Sequence, residues 1–279
     1  GARACGLADA YATEYDDVSG MYWNPATLAF LQNSSLMTDF FHESNGQVSH
    51  EAIAYPLTLG QNNNVGVGLS SDQFSLTDSV GNNVNGREYG MDLGSAVALT
   101  STLSIGTQIH VIYGQVSSST IWVTSAAFGL LYAPSTDIGY ALVYNGVGAG
   151  ILYGQNSQGS PIPSVGKVPV PSTLHLGVTM RFPSASVDRI LMISLANEKV
   201  FNQRGINYKG AVEVEATSFL ELRAGCIITP LRSGLRYGLG LHVGPVQLDY
   251  AYSPPAIAPE FHELTLSLGF DTATENGPE

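Results

Sequence analysis

Charge is what this 279-residue chain most lacks: Asp, Glu, Lys and Arg together make up 12% of it, about half of the roughly 25% usual in soluble domains. A water-facing surface of this size would carry more Lys and Glu, so much of the exterior is made for something other than water. Basic residues are scarcest, 11 against 23 acids, for a net charge of -12. That balance excludes nucleic acid, which demands a basic footprint. Cysteine is nearly missing; Cys5 and Cys226 are too few for a disulfide scaffold and have no metal-ligand spacing. Long apolar runs are missing too. The best of them, "IGYALVYNGVGAGILYG" from Ile138, holds five glycines and an Asn, which makes it a poor helix. The start has neither the basic nor the apolar region of a signal peptide, and is read as that of a mature chain from which one has been removed.

What the chain does have is a period of two. "LSIGTQIHVIYG" places Leu103, Ile105, Thr107, Ile109, Val111 and Tyr113 on one face, with Ser104, Gly106, Gln108, His110 and Gly114 on the other. "LHLGVTMRF", "LRYGLGLHV", "VQLDYAY" and "HELTLSLGF" repeat the pattern. One face is apolar and the other small, polar or charged, which marks strands rather than helices. Such segments start near residues 35, 48, 64, 87, 103, 119, 137, 172, 188, 205, 218, 234, 245 and 261. Their length of about 9–12 residues is that of a tilted strand crossing a bilayer.

The connectors alternate in kind. Tight ones ("APST", "PSAS", "GP") contrast with longer ones at 72–86, 146–171, 197–204 and 253–259, the arrangement of short inner turns and longer outer loops found in outer-membrane barrels. Tyr113, Tyr144, Tyr208, Tyr237 and Tyr252 fall toward the outer ends, Phe182 and Phe270 toward the inner, as two aromatic girdles would. Hydrocarbon leaves no water to satisfy open sheet edges, so the strands must close on themselves. The expected fold is an all-β, transmembrane antiparallel barrel of about 14 strands.

The opening, "GARACGLADAYATEYDDVSGMYWNPATLAF", resembles the N-terminal signature of the FadL-type outer-membrane proteins, most closely their PorV/PorQ branch: a Gly-Ala-rich segment, an Asp-Asp pair, then Asn-Pro-Ala. "VPVPSTLHLGVTMRF", "LELRAGCIITP", "LRYGLGLHVGPVQLDYAYSP" and "FHELTLSLGF" continue the likeness in order. It differs where Thr27 stands in place of the family's Gly. The resemblance implies a plug, or hatch, at 1–33 inside a barrel at 34–271, with a periplasmic tail at 272–279. In that plug Asp16, Asp17 and Asn24 would bond lumen-facing Arg181, Arg223 or Arg236, and Pro25 would fix the turn into the first strand.

Sites for chemistry are not found. "HESNG", "HEAIA" and "HELTL" lack the second His of a zinc protease, no G-x-S-x-G elbow occurs, and "GLGLHVG" sits in a strand rather than opening a helix. Neither a cofactor nor a metal is implied, and no enzyme is expected. Inward Glu213, Glu215, Glu221, Arg223, Arg236, His242, Asp249 and Glu263 read as ion pairs bracing the lumen. Cys226 faces lipid and Cys5 belongs to the plug, so no disulfide joins them.

Three functions follow, all in a bacterial outer membrane and in contact with its lipid. The first, implied by the resemblance, is a type IX secretion component that binds cargo or translocon partners. Its docking surface would be the loop at 146–171, stiffened by Pro161, Pro163, Pro169 and Pro171 and carrying Lys167. The second is a FadL-like channel for a hydrophobic ligand, opened through the wall by a kink in "VGVGLS" at Val65–Ser70. The third is a structural subunit or anchor.

Overall fold

The structure is a computed structural model and describes residues 1–31, 34–59, 63–77, 81, 83–116, 119–155, 161–183, 190–256 and 259–270. Its strands are β1 (Ser34–Glu43), β2 (Val48–Thr58), β3 (Asn63–Thr77), β4 (Asn83–Ala98) and β5 (Leu103–Val116). They continue as β6 (Ser119–Ser135), β7 (Ile138–Gln155), β8 (Pro161–Pro169), β9 (Thr173–Pro183) and β10 (Ile190–Val200). The last are β11 (Asn207–Thr217), β12 (Leu220–Ile228), β13 (Ser233–Val243), β14 (Val246–Ser253) and β15 (Phe261–Phe270). Every pairing is antiparallel, and β15 returns to β1 from Ser34↔Phe270 to Glu43↔Phe261, closing the sheet.

Strands β8 and β9 both pair with β7 in one register, Ala149↔Pro169 and Asn145↔Thr173. They act as a single stave interrupted at residues 170–172. The wall is therefore a closed barrel of 14 staves.

Alternation sets the faces, and it runs opposite to that of a soluble protein. In β5, Ser104, Gly106 and Gln108 are buried inward, while Ile105 is 42% and Ile109 50% exposed. Leu69, Leu93, Phe128, Leu195, Leu222, Leu235 and Leu264 likewise stand exposed on the outside. So continuous an exposed apolar exterior is stable only in hydrocarbon, and the chain spans a membrane. Among the described residues no helix is long and apolar enough to do so; the strands do it.

Rings mark the two rims. Tyr89, Tyr113 and Trp122 lie side by side across β4, β5 and β6, with the rings of Tyr113 and Trp122 4.9 Å apart. Tyr237 pairs with Tyr252 on the same rim. At the opposite rim Tyr132 stacks on Tyr140 at 6.2 Å, and Phe182 and Phe270 are exposed there.

Three features differ from the reading of the sequence. First, β3 to β7 are longer than a bilayer requires, from 14 residues in β5 to 18 in β7. The region 72–86 is mostly hairpin, because β3 runs to Thr77 and β4 starts at Asn83. Beyond the bilayer both faces can be polar, so pairing persists after the apolar alternation ends. Second, 146–171 is largely strand: β7 continues to Gln155 and meets β8.

Third, Val65–Ser70 does not kink, since β3 keeps an unbroken register with β2 and β4. Irregularity falls instead on β7, where Ala126 pairs with Val147 but Ala127 with Asn145, leaving Gly146 as a bulge. Gly146 has φ +86°, and a Cβ there would stand 2.1 Å from the Pro171 carbonyl oxygen. Only glycine fits that contact.

The innermost core is made by residues 1–31. Helix α1 (Ala2–Gly6) packs on β12 to β15, and a 3₁₀ turn (Pro25–Phe30) packs on β3 to β6. Between them lies α2 (Gly20–Trp23). Met21 and Leu28 meet Met37, Ala54 and Ala96 of the wall, while Leu7 and Tyr11 meet Met192 and Ala211.

Candidate functional site

Small side chains bring the N-terminal segment against the wall: Ala2, Ala4 and Ala8 are fully buried. The Ala2 N–H donates to Thr265 Oγ1 at 2.6 Å. Charge then fixes the position. Arg3, the one basic residue in 1–31, donates to both oxygens of Glu213 at 2.9 and 3.1 Å and to Asp16 at 2.7 Å. Arg223 holds Glu213 from the other side at 2.5 Å and reaches Asp249 at 2.5 Å, with Glu221 also in contact. Two further arginines engage the segment: Arg181 donates to Glu14 at 2.6 Å and Arg236 to Asp9 at 2.8 Å. Burial pushes the Glu14 carboxyl up to about 7, against the pull of Arg181 and Arg3.

These partners differ from the pairs read from the sequence. Asp16 and Asp17 turn to their own segment; Arg3 takes Asp16, and Asp17 accepts from Tyr11 and Ser19. Arg223 touches neither, because the wall's own acids surround it. Among the described residues Asn24 meets no arginine. Its Oδ1 accepts the Ala26 N–H at 3.0 Å, capping the 3₁₀ turn that Pro25 begins, and its Nδ2 donates to the carbonyls of Ala12 and Leu130 at 2.9 and 3.3 Å. Thr27 adds a lock of its own, donating to the Asn24 carbonyl at 2.8 Å. The approach is close enough that a Cβ on Gly129 would sit 1.9 Å from Asn24 Oδ1. Arg3, Asp9, Glu14 and Glu213 were the partners the sequence reading did not pair; a lone arginine among Asp9, Glu14, Asp16 and Asp17 is the signal that could have found them.

Cys5 is 3% exposed, and its thiol is pushed up by burial and by Glu263. Cys226 lies in the outward row of β12 with Leu222 and Ile228, so the wall separates the two thiols, and both are free. A water-soluble maleimide should leave Cys5 unlabelled in the folded barrel and modify it fully once the barrel is unfolded. Rapid labelling of folded protein at Cys5 would mean that the segment leaves its seat.

Beside the segment remains a lumen cavity of about 450 Å³. Tyr22 and Trp23 of the segment line it, together with Asp39, His50, Asp72, Asp92, Gln108 and His110 from β1 to β5. Its far edge is Ser125, Ala126, Ala127, Asn145 and Gly146, the bulged part of β6 and β7. His50 Nδ1 meets Asp72 at 2.7 Å, and His110 Nδ1 and Gln108 Nε2 meet Asp92 Oδ1 at 2.7 and 2.6 Å. Among the described residues no group of three or more His, Cys, Asp or Glu is placed to hold a metal ion.

Of the segment proposed as a docking loop, the side chains of Pro161, Pro163 and Lys167 lie outside the described residues. Their backbone forms part of β8. Pro169 ends β8, and Pro171 stands at the interruption opposite Gly146.

No family model matches the chain, and neither does any curated protein. Solved structures do. The toluene transporter TbuX of Ralstonia pickettii superposes with a TM-score of 0.63 at 13% identity, over 95% of this chain and 98% of that one. A FadL homologue of Pseudomonas aeruginosa gives 0.62 at 12% identity over 97% and 98%. The toluene transporter TodX of Pseudomonas putida gives 0.61 at 13% over 94% and 95%. At these identities the likeness is one of fold.

Proposed function

We propose that this barrel sits in a bacterial outer membrane and passes small hydrophobic compounds, with residues 1–33 as a plug that closes the straight route through the lumen. The observation that carries this reading is the position of the cavity: it touches the wall where the wall is least continuous. There Gly146 bulges, residues 146–148 and 170–172 interrupt the pairing of β7 with its neighbour, and Pro169 and Pro171 have no N–H to offer the ladder. A compound in the cavity has that seam as its shortest way to lipid. The solved barrels of the same fold include two toluene transporters, and this supports transport over the secretion-docking reading. The surface that reading required is largely hairpin rather than free loop.

Bacteria producing the chain should take up ring-labelled toluene faster than cells carrying an empty vector. Equal uptake, with a stoichiometric protein partner retained in native mass spectrometry, would favour docking instead and end the transport proposal.

A further inference from the structure

The chemistry of the same cavity selects among hydrophobic compounds, an inference that rests on the transport reading and narrows it. The described side chains lining the cavity include three carboxylates, Asp39, Asp72 and Asp92, and two imidazoles, His50 and His110, with no Lys or Arg. The Gly1 α-ammonium also lines the cavity, held by Asp39 at 3.7 Å and Glu263 at 3.1 Å, so with neutral imidazoles the three lining carboxylates outnumber that one cation. An anionic ligand would enter against that excess, and the ammonium on the lining is already engaged by two carboxylates.

The lining also leaves groups without a counterpart. Asp92 is 3% exposed, and both of its donors, Gln108 and His110, fall on Oδ1; among the described residues none is placed on Oδ2. The Tyr22 hydroxyl is buried with no partner among the described residues. Buried polar groups are normally satisfied, and an orphan beside a cavity is a place for a ligand atom. Around these groups Tyr22, Trp23 and Ile112 supply aromatic and aliphatic surface. An ammonium group suits both halves of the site: it donates to a free carboxylate oxygen and is attracted to aromatic faces.

We propose that the cavity binds amphiphilic amines, with the protonated amine at Asp92 and Asp72 and the apolar body against Tyr22, Trp23 and Ile112. The reasons are the excess of carboxylate, the open Oδ2 and the engagement of the one lining cation among the described residues, the Gly1 ammonium, by Asp39 and Glu263. Volume agrees with the assignment, since a single-ring amine fits easily within 450 Å³.

The test uses the full chain in detergent, with Trp122→Phe so that Trp23, the other of its two tryptophans, reports from the cavity. Three matched probes are titrated at pH 7: benzylammonium, toluene and benzoate. Benzylammonium should bind at least tenfold more tightly than toluene, and benzoate the most weakly. Asp92→Asn should erase the difference between benzylammonium and toluene. Retained heat-modifiable migration on a gel shows that the variant is folded, and Asp72→Asn, at a half-exposed position, serves if it is not. Benzoate binding as well as benzylammonium, or an advantage untouched by both substitutions, would overturn the assignment. Toluene bound without any advantage for the amine would refute this inference and leave the transport reading standing. No binding of any probe would refute both.

Discussion

Replacing Arg3 by alanine should loosen the N-terminal segment, raise ion conductance in planar bilayers and lower the urea midpoint of unfolding. Arg3 is 8% exposed and bridges Glu213 on the wall to Asp16 on the segment. Its loss leaves Glu213 to Arg223 alone and leaves Asp16 without the wall. Breaking a buried ion pair outright costs about 3–5 kcal/mol, and the loss here falls below that because Arg223 still holds Glu213. Lysine should recover only part of that, since an ammonium cannot span both oxygens of Glu213 as the guanidinium fork does. Replacing the pair together, Arg3→Met with Glu213→Gln, should cost less than the sum of the two single changes, by roughly 0.5–3 kcal/mol of coupling. Wild-type conductance in Arg3→Ala would show that the segment is held without this network.

The second large effect is expected at Gly146. Valine there cannot keep φ +86°, at about 1–2 kcal/mol for the left-handed backbone alone, and its Cβ would collide with the Pro171 carbonyl. The bulge must then rearrange. If β7 loses it, every residue above that point slips by one against β6, and the lumen and lipid faces of 147–155 exchange. Toluene uptake should fall to the level of the empty vector, whereas Gly46→Ala, which carries the same left-handed backbone cost at φ +72° but meets no atom at its exposed turn, should leave it unchanged. Uptake undiminished by Gly146→Val would place the exit elsewhere in the wall.

The staves were legible because a bilayer leaves little choice. Leu103 to Tyr113 can satisfy lipid on one side and a polar lumen on the other only as an extended strand, and the period of two records this. The rim rings followed for the same reason. The lengths of β3 to β7 were not legible, because past Phe74 or Ile151 no lipid enforces alternation and pairing beyond the rim leaves little trace in composition. The bulge was misplaced for a related reason. Glycines 66 and 68 lie under Met21 and Tyr22 of the segment, a packing demand that resembles a kink in sequence. The bulge itself depends on Pro171, distant along the chain. Likewise, the four arginines and their acids were all visible, but which pairs with which depends on the depth at which the segment lies.

Ala2 bonds to Thr265, 263 positions away, and α1 packs on β12 to β15. The N-terminal segment is thus secured by the closing strands of the barrel. Until the final hairpin arrives, Arg3 and Glu14 have only part of their surroundings and no sealed chamber to lie in. A joint of such long sequence separation forms slowly, so zipping of β1 to β15 and enclosure of the segment should be one late, concerted event. Biogenesis therefore cannot deliver an empty cylinder to be stoppered afterwards. The chain must be wrapped around its own beginning, and any factor that assembles it has to hold that beginning in place while the seam closes.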